Sequence, residues 1–375
     1  MAATALDSVI GHATAVAGLR RQLDGGELPH ALLISGPERV GKTTLALALA
    51  ADVLNASNWP GGITAHPDCW IEDGDSERIG IARVRSGRTA ELPSLQDFLA
   101  LRSYLGGARM AVIGRAERLT EEAANCLLKT IEEPPPGCHI VLCTAHPEGL
   151  PATILSRCQS LGLAPVGAGV MAPWLVGAHA VDGSLATLAA ALAMGRPGRA
   201  LRLATEPGAL AAELDALDGF IAAAGGGVSG ALEAAATLAP AAGAEGRERA
   251  ILQLNTWTTF LRDCVCVAEN AGELITWSAY RETCQTWADA VSGERLVAML
   301  GMTMNAIQDV ARNAQPRLCY DVLLVDLFGG VGGIAAPPKT APTLRDSSLA
   351  AAPAGQLKSR ATTARKPAAR RPARR

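Results

Sequence analysis

Lysine is scarce in this chain. Of 34 basic residues only five are lysine, and just two of these, Lys42 and Lys129, precede residue 339. Arginine is the default cation, so a lysine that persists marks a place where a planar guanidinium will not serve. Aromatic residues make up only 3 %, and Trp257, Trp277 and Trp287 gather in the C-terminal half, where they read as core or interface packing. No Cys-x-x-Cys pair occurs, and the nine cysteines are odd in number and scattered. That excludes a disulfide framework and points to a reducing compartment, so the expected localisation is cytoplasmic. Cys264 and Cys266, two apart on a helical pattern, read as buried free thiols. Runs of 18 uninterrupted apolar residues are missing, as is the charged-then-apolar layout of a signal peptide.

What is present begins with Gly36-Pro37-Glu38-Arg39-Val40-Gly41-Lys42-Thr43, which satisfies the phosphate-loop pattern G-x-x-x-x-G-K-[ST]. The apolar run Ala31–Ser35 before it reads as a buried parallel strand. After it, Thr44 to Ala50 carries the small and straight-chain residues of a good helix. Strand, loop and helix in that order direct backbone N–H groups and a helix N-terminus at phosphate oxygens. Lys42 is expected on the terminal phosphates and Thr43 on Mg²⁺, so the predicted cofactor is ATP or ADP with magnesium. Downstream, the apolar strand Arg109–Ile113 runs into Gly114-Arg115, where a nucleotide hydrolase would place its metal-holding acid. The loop predicts nucleotide; the strand predicts little or no hydrolysis.

With 375 residues, two or three domains are expected. Strand candidates Ala31–Ser35, Cys69–Glu72, Arg109–Ile113 and His139–Thr144 alternate with helices, which predicts a parallel sheet between helical layers. Thr120 reads as an N-cap followed by Glu121 and Glu122, for a helix that stops before Pro134-Pro135-Pro136. Residues 166–208 read as a small helical subdomain broken at Gly195-Arg196-Pro197-Gly198. Residues 209–335 show only helical periodicity. Ile251, Leu254, Trp257, Leu261 and Cys264 predict one buried face, and Leu296, Leu300, Met304, Ile307 and Ala311 another. Residues 336–375 form a linker and a tail expected to be disordered. Its last 18 residues hold eight basic residues and no acid, so the rest of the chain carries a formal −10 against −2 overall. A solvated tail and a weak electrostatic contact with DNA are both open readings.

Several of these segments together resemble the clamp-loader AAA+ family of bacterial replication, and within it the delta-prime type of subunit of DNA polymerase III. The marks are Val9-Ile10-Gly11-His12, Pro29-His30-Ala31-Leu32, the run from Asn125 to Pro135, Thr153-Ile154-Leu155-Ser156-Arg157-Cys158, and Asn313-Ala314-Gln315-Pro316-Arg317-Leu318. The resemblance extends to about residue 335. It implies a P-loop AAA+ domain over 1–165, a helical lid over 166–208 and an all-α collar over 209–335. It also implies that Val9 and Ile10 line an adenine pocket, that Gly36, Pro37, Gly41, Lys42, Thr43 and Thr44 hold phosphates, and that Thr144 touches the terminal phosphate. Arg157 would reach a neighbouring subunit's ATP site as an arginine finger, and no metal site of the chain's own is implied. The implied partners are delta and gamma/tau subunits in a pentameric ring, with the sliding clamp and primed DNA reached through the complex.

Three departures from the family pattern stand out. Gly114-Arg115 replaces the acidic pair. Residues 44–108 hold a single cysteine, Cys69, so no zinc is expected although His66-Pro67-Asp68 remains. Gly198, with Arg199 beside it, occupies the place of a nucleotide-sensing arginine. Glu117 follows the altered strand closely but is expected on the next turn, pointing elsewhere. The implied role is therefore a stator that lends an arginine, with an ATP-hydrolysing gamma/tau-type motor as the alternative.

Overall fold

A computed structural model describes residues 4–56, 58–73, 78–85 and 93–329. The basic tail therefore lies outside the described residues. Five strands, β1 (Ala31–Ser35), β2 (Cys69–Glu72), β3 (Arg109–Ile113), β4 (Cys138–Thr144) and β5 (Gln159–Gly162), form one sheet in the order β2-β3-β4-β1-β5. Every neighbouring pair is parallel. All five C-terminal ends therefore lie along one edge, the place where open α/β sheets bind ligands.

The strands are short apolar runs because both faces are covered. Successive residues of β1 go to opposite sides: Leu33 joins a core with Ile113, Ile140 and Leu142, and Leu32 and Ile34 join one with Val112, Val141 and Cys143. Helix α1 (Ala13–Asp24) and helix α2 (Lys42–Val53) supply the second of these cores. Two short helices, α3 (Ile81–Val84) and α4 (Leu95–Ala100), pack with α5 (Glu121–Glu132) on the first. The α5 N-terminus is as expected: the Thr120 hydroxyl accepts from Ala123 N–H at 3.3 Å, with Glu121 and Glu122 in the first turn.

After the short helix α6 (Ala152–Leu155) and edge strand β5, the described chain is entirely helical. Helices α7 (Ala168–His179), α8 (Gly183–Leu192) and α9 (Pro197–Thr205) form a small group. It leads into α10 (Ala209–Ala223), α11 (Gly227–Leu238), α12 (Ala244–Ala268), α13 (Arg281–Ala290), α14 (Gly293–Ala311) and α15 (Pro316–Phe328). One buried cluster runs without a break from Val166 to Phe328. At its centre Trp257 stacks on Phe220 with ring centroids 4.7 Å apart, and Trp287 meets Phe260 edge-on at 5.2 Å. The expected face of α12 is buried at Leu254, Trp257, Leu261 and Cys264, and the scarce tryptophans 257, 277 and 287 are core residues.

The expected face of α14 needs correction. The buried stripe is Leu296, Met299, Thr303, Ala306 and Val310, and Met304 is half exposed. Both stripes are mainly apolar and share Leu296, so periodicity alone does not separate them. Packing buries the one whose polar member is satisfied: the Thr303 hydroxyl donates to the Met299 carbonyl at 2.9 Å.

Candidate functional site

The loop between β1 and α2 closes as its composition dictates. Gly36 has φ +151°, and a Cβ there would stand 2.6 Å from the Leu163 carbonyl oxygen; Gly41, the N-cap of α2, has φ +109°. Side chains other than hydrogen are excluded at the first position and strained at the second. Lys42 opens α2 with its ammonium folded back over the loop, donating to the carbonyls of Gly36 and Pro37 at 2.8 Å each. It is 8 % exposed. Burial holds its pKa below the ordinary lysine value; Cys143, Glu117 and Glu38 act the other way, while Arg196 adds to the lowering. A buried ammonium satisfied only by two carbonyls of its own loop suits an anion between it and the helix N-terminus. On these observations the residues fit a nucleotide's phosphates.

Beside the loop is a cavity of about 550 Å³. Val9 and Ile10 line it, as do Gly41, Lys42, Thr43 and Thr44. Gly36 and Pro37 instead form the loop's base, through the carbonyls that Lys42 engages. Thr144 ends β4 fully buried, and its hydroxyl accepts from the His146 N–H at 3.0 Å. The next residue, Ala145, is the one that lines the cavity. Arg157 lies outside it, at the end of α6 and half exposed. Its Nε donates to Glu132 at 2.6 Å and its Nη1 donates to the Thr153 carbonyl at 3.1 Å.

Among the further lining residues that carried no role in the sequence reading are His12, Asp73, Glu117, Trp174 and His179. His12 adopts φ +49° at the N-cap of α1 and bonds through Nε2 to the Val40 carbonyl at 2.9 Å, bracing the loop from outside. Its place in Val9-Ile10-Gly11-His12 was the available signal. Trp174 and His179 meet edge-on at 4.7 Å on α7, and neither has a local sequence signature. Glu117 overturns the expectation that it points elsewhere. The turn Ala116–Arg118 swings its side chain into the cavity, where Oε2 is buried without a hydrogen-bond partner among the described residues.

The small helices close the cavity from above. Gly198 N–H donates to the Arg39 carbonyl at 3.0 Å, and a Cβ on Gly198 would sit 3.2 Å from that oxygen. A side chain there would require the loop to give by a few tenths of an ångström. Arg199 points away from the cavity, 3 % exposed, and donates to Glu213 of α10 at 3.0 Å. Neither residue of the pair presents a nucleotide-sensing guanidinium.

The β1–loop–α2 unit inside a 5-1-4-3-2 parallel sheet, followed by helices alone, defines a P-loop protein of the AAA+ class. Residues 11–167 match the family model described as "DNA polymerase III, delta subunit". The delta' subunit of DNA polymerase III from Haemophilus influenzae is 30 % identical over 50 % of this chain and 59 % of its own length. The tau subunit from Escherichia coli is 32 % identical over 41 % of this chain and 25 % of its own. A gamma subunit-related protein of known structure from Thermotoga maritima covers 82 % of this chain and 98 % of its own at 19 % identity, with a TM-score of 0.40, too slight a likeness to argue from. Over its N-terminal part the chain is thus similar to clamp-loader subunits of DNA polymerase III. It spans about a quarter of the tau relatives and rather more than half of the delta' relative. Among the described residues no helix is long and apolar enough to cross a membrane.

Proposed function

We propose that the chain is the delta-prime, or stator, subunit of a DNA polymerase III clamp loader. In this reading it joins delta and gamma/tau subunits in a pentameric ring that opens a sliding clamp and closes it on primed DNA in the cytoplasm. The observation that carries the assignment is the end of β3. The intact loop faces Gly114-Arg115, and neither residue can orient a metal or position an attacking water. ATP or ADP with Mg²⁺ is held in the cavity, the base against Val9 and Ile10 and the phosphates at Gly36, Pro37, Gly41, Lys42, Thr43 and Thr44. Turnover belongs to a neighbouring subunit. Its transition state is stabilised by Arg157, whose half-exposed guanidinium has a surface carboxylate, Glu132, and the Thr153 carbonyl and Ser156 hydroxyl to leave. Half-exposed Val297 and Met304 on α14, with Leu318 and Val322 on α15, give the C-terminal helices an apolar surface suited to burial in the ring.

The gamma/tau-type motor remains the second reading, because tau and gamma relatives match at the same level of identity as the delta' relative. The deciding experiment is reconstitution of the ring with Arg157→Ala. A finger contributes roughly a thousandfold or more at the site it serves, so turnover at that interface should be lost while the ring still assembles. Unchanged turnover removes the trans role, and a steady DNA-stimulated ATPase of the isolated chain transfers the assignment to the motor.

A further inference from the structure

The place of the missing acid on β3 is filled from the next strand. β2 and β3 run in parallel register with Glu72 beside Ile113, so Asp73 and Gly114 emerge side by side at the ligand edge of the sheet. A Cβ built on Gly114 would stand 1.9 Å from Asp73 Oδ1 and 2.5 Å from its carboxyl carbon. The Asp73 carboxylate thus occupies the volume that an acidic side chain at position 114 would take. Gly114 is what allows it, since any larger residue would collide. Asp73 lines the same cavity as Lys42 and Thr43. So does Glu117, whose buried Oε2 lacks a hydrogen-bond partner among the described residues. A buried carboxylate oxygen left in this condition is costly unless a cation or donor arrives.

We infer that Asp73 and Glu117 together form a relocated magnesium-positioning pair, which holds the Mg²⁺ of the bound nucleotide opposite Thr43. The inference rests on the proposal that the loop binds nucleotide. Octahedral Mg²⁺ keeps several waters and is bound through one or two carboxylates together with phosphate oxygens. Two carboxylates, the Thr43 hydroxyl and a nucleotide's phosphates meet that demand with no third protein acid. Arg115 stands next along the chain, exposed and cationic, and cannot act as a general base. The site assigned here retains magnesium nucleotide without turning it over.

The test measures the Kd of fluorescent ADP for the full-length chain, with Mg²⁺ and with EDTA. The variants are Asp73→Asn, Glu117→Gln, Lys42→Met and the exchange Asp73→Ala with Gly114→Asp. For the unmodified chain, Mg²⁺ should tighten binding at least tenfold. Asp73→Asn should abolish that gain and leave the EDTA value unchanged, and Glu117→Gln should reduce it. The exchange, which returns the carboxylate to β3, should restore the gain. Thermal unfolding of each apo variant identifies any that merely fails to fold, and the exchange then decides the matter. A full magnesium gain in Asp73→Asn, or its absence from the unmodified chain, overturns the relocated pair while nucleotide binding stands. Binding absent in every condition, with Lys42→Met no different, overturns the nucleotide reading and the pair with it.

Discussion

The two edges of the sheet treat buried charge in opposite ways. At the edge where the strands begin, Asp68 is 1 % exposed and fully engaged. It accepts hydrogen bonds from Ser103 Oγ at 2.9 Å, Tyr104 N at 2.8 Å and Leu105 N at 3.1 Å, and Arg109 Nε lies 3.7 Å away. Arg109 in turn donates to the Arg102 carbonyl and lies over the Phe98 ring, 3.9 Å from its centroid. At the edge where the strands end, Lys42 rests on its own loop's carbonyls and a Glu117 oxygen has no hydrogen-bond partner among the described residues. One edge holds its buried carboxylate with donors of its own, leaving only the Arg109 Nε and His66 Nε2 without hydrogen bonds there among the described residues, and is structural. The other leaves its polar groups to be completed from outside, as a binding site must.

That contrast can be broken experimentally, and the largest effect should come from the first edge. Asp68→Ala leaves the buried Arg109 and two backbone N–H groups without their acceptor and should destabilise the fold by about 3–5 kcal/mol in denaturant titrations. A loss below about 1 kcal/mol would mean that this edge is no more structural than the other. A smaller effect lies in the acid limb. Burial pushes the Asp68 carboxyl upward, but hydrogen bonds from Tyr104, Leu105 and Ser103, with the Arg109 charge, outweigh it and leave its pKa below the usual aspartate value. Stability from this group is therefore full above about pH 4, the unfolded-state value, and is lost as pH falls through the lower folded value. Asp68→Asn should flatten that part of the stability profile; an unchanged acid limb would assign it to other carboxylates. The smallest effect on stability belongs to Lys42→Met, within about 1 kcal/mol, because the two carbonyl bonds it loses are offset by relief of a buried charge. Its nucleotide affinity should nonetheless fall by roughly a factor of ten to a hundred, as expected for removing a charged hydrogen bond. Destabilisation as large as that of Asp68→Ala would erase the distinction between the edges.

Much of this arrangement was legible in the sequence because it is local. β1, β2 and β3 have the expected bounds, and β4 begins one residue early, at Cys138. The loop, its flanking elements and the Thr120 cap are each written in consecutive residues. β5 was missed because Gln159–Gly162 is mostly exposed, lies at the sheet edge beside β1 alone and has no apolar run. Asp73 was missed for a different reason. Its meaning depends on its being beside Gly114, which parallel register decides and no sequence window contains. The absence at position 114 was readable, but its replacement was not. Glu117 was near enough in sequence to be considered, yet a single turn decided the direction of its side chain.

Arg39, in the middle of the phosphate loop, has the left-handed φ of +59°, rare for a residue with a side chain. Its carbonyl receives the Gly198 N–H at the start of α9, and its guanidinium reaches Glu248 of α12 at 3.2 Å. One residue is thus a three-way joint between the loop, the small helices and the long helical region. The backbone arm is stiff because Gly198 is pressed against Arg39, and the side-chain arm is long, half exposed and weak. The same small helices also reach α12 by a buried route, because Glu213 of α10 accepts from both Arg199 of α9 and Thr256 of α12. An occupant that moved the loop would therefore meet the helices above it through backbone and the region beyond through side chains.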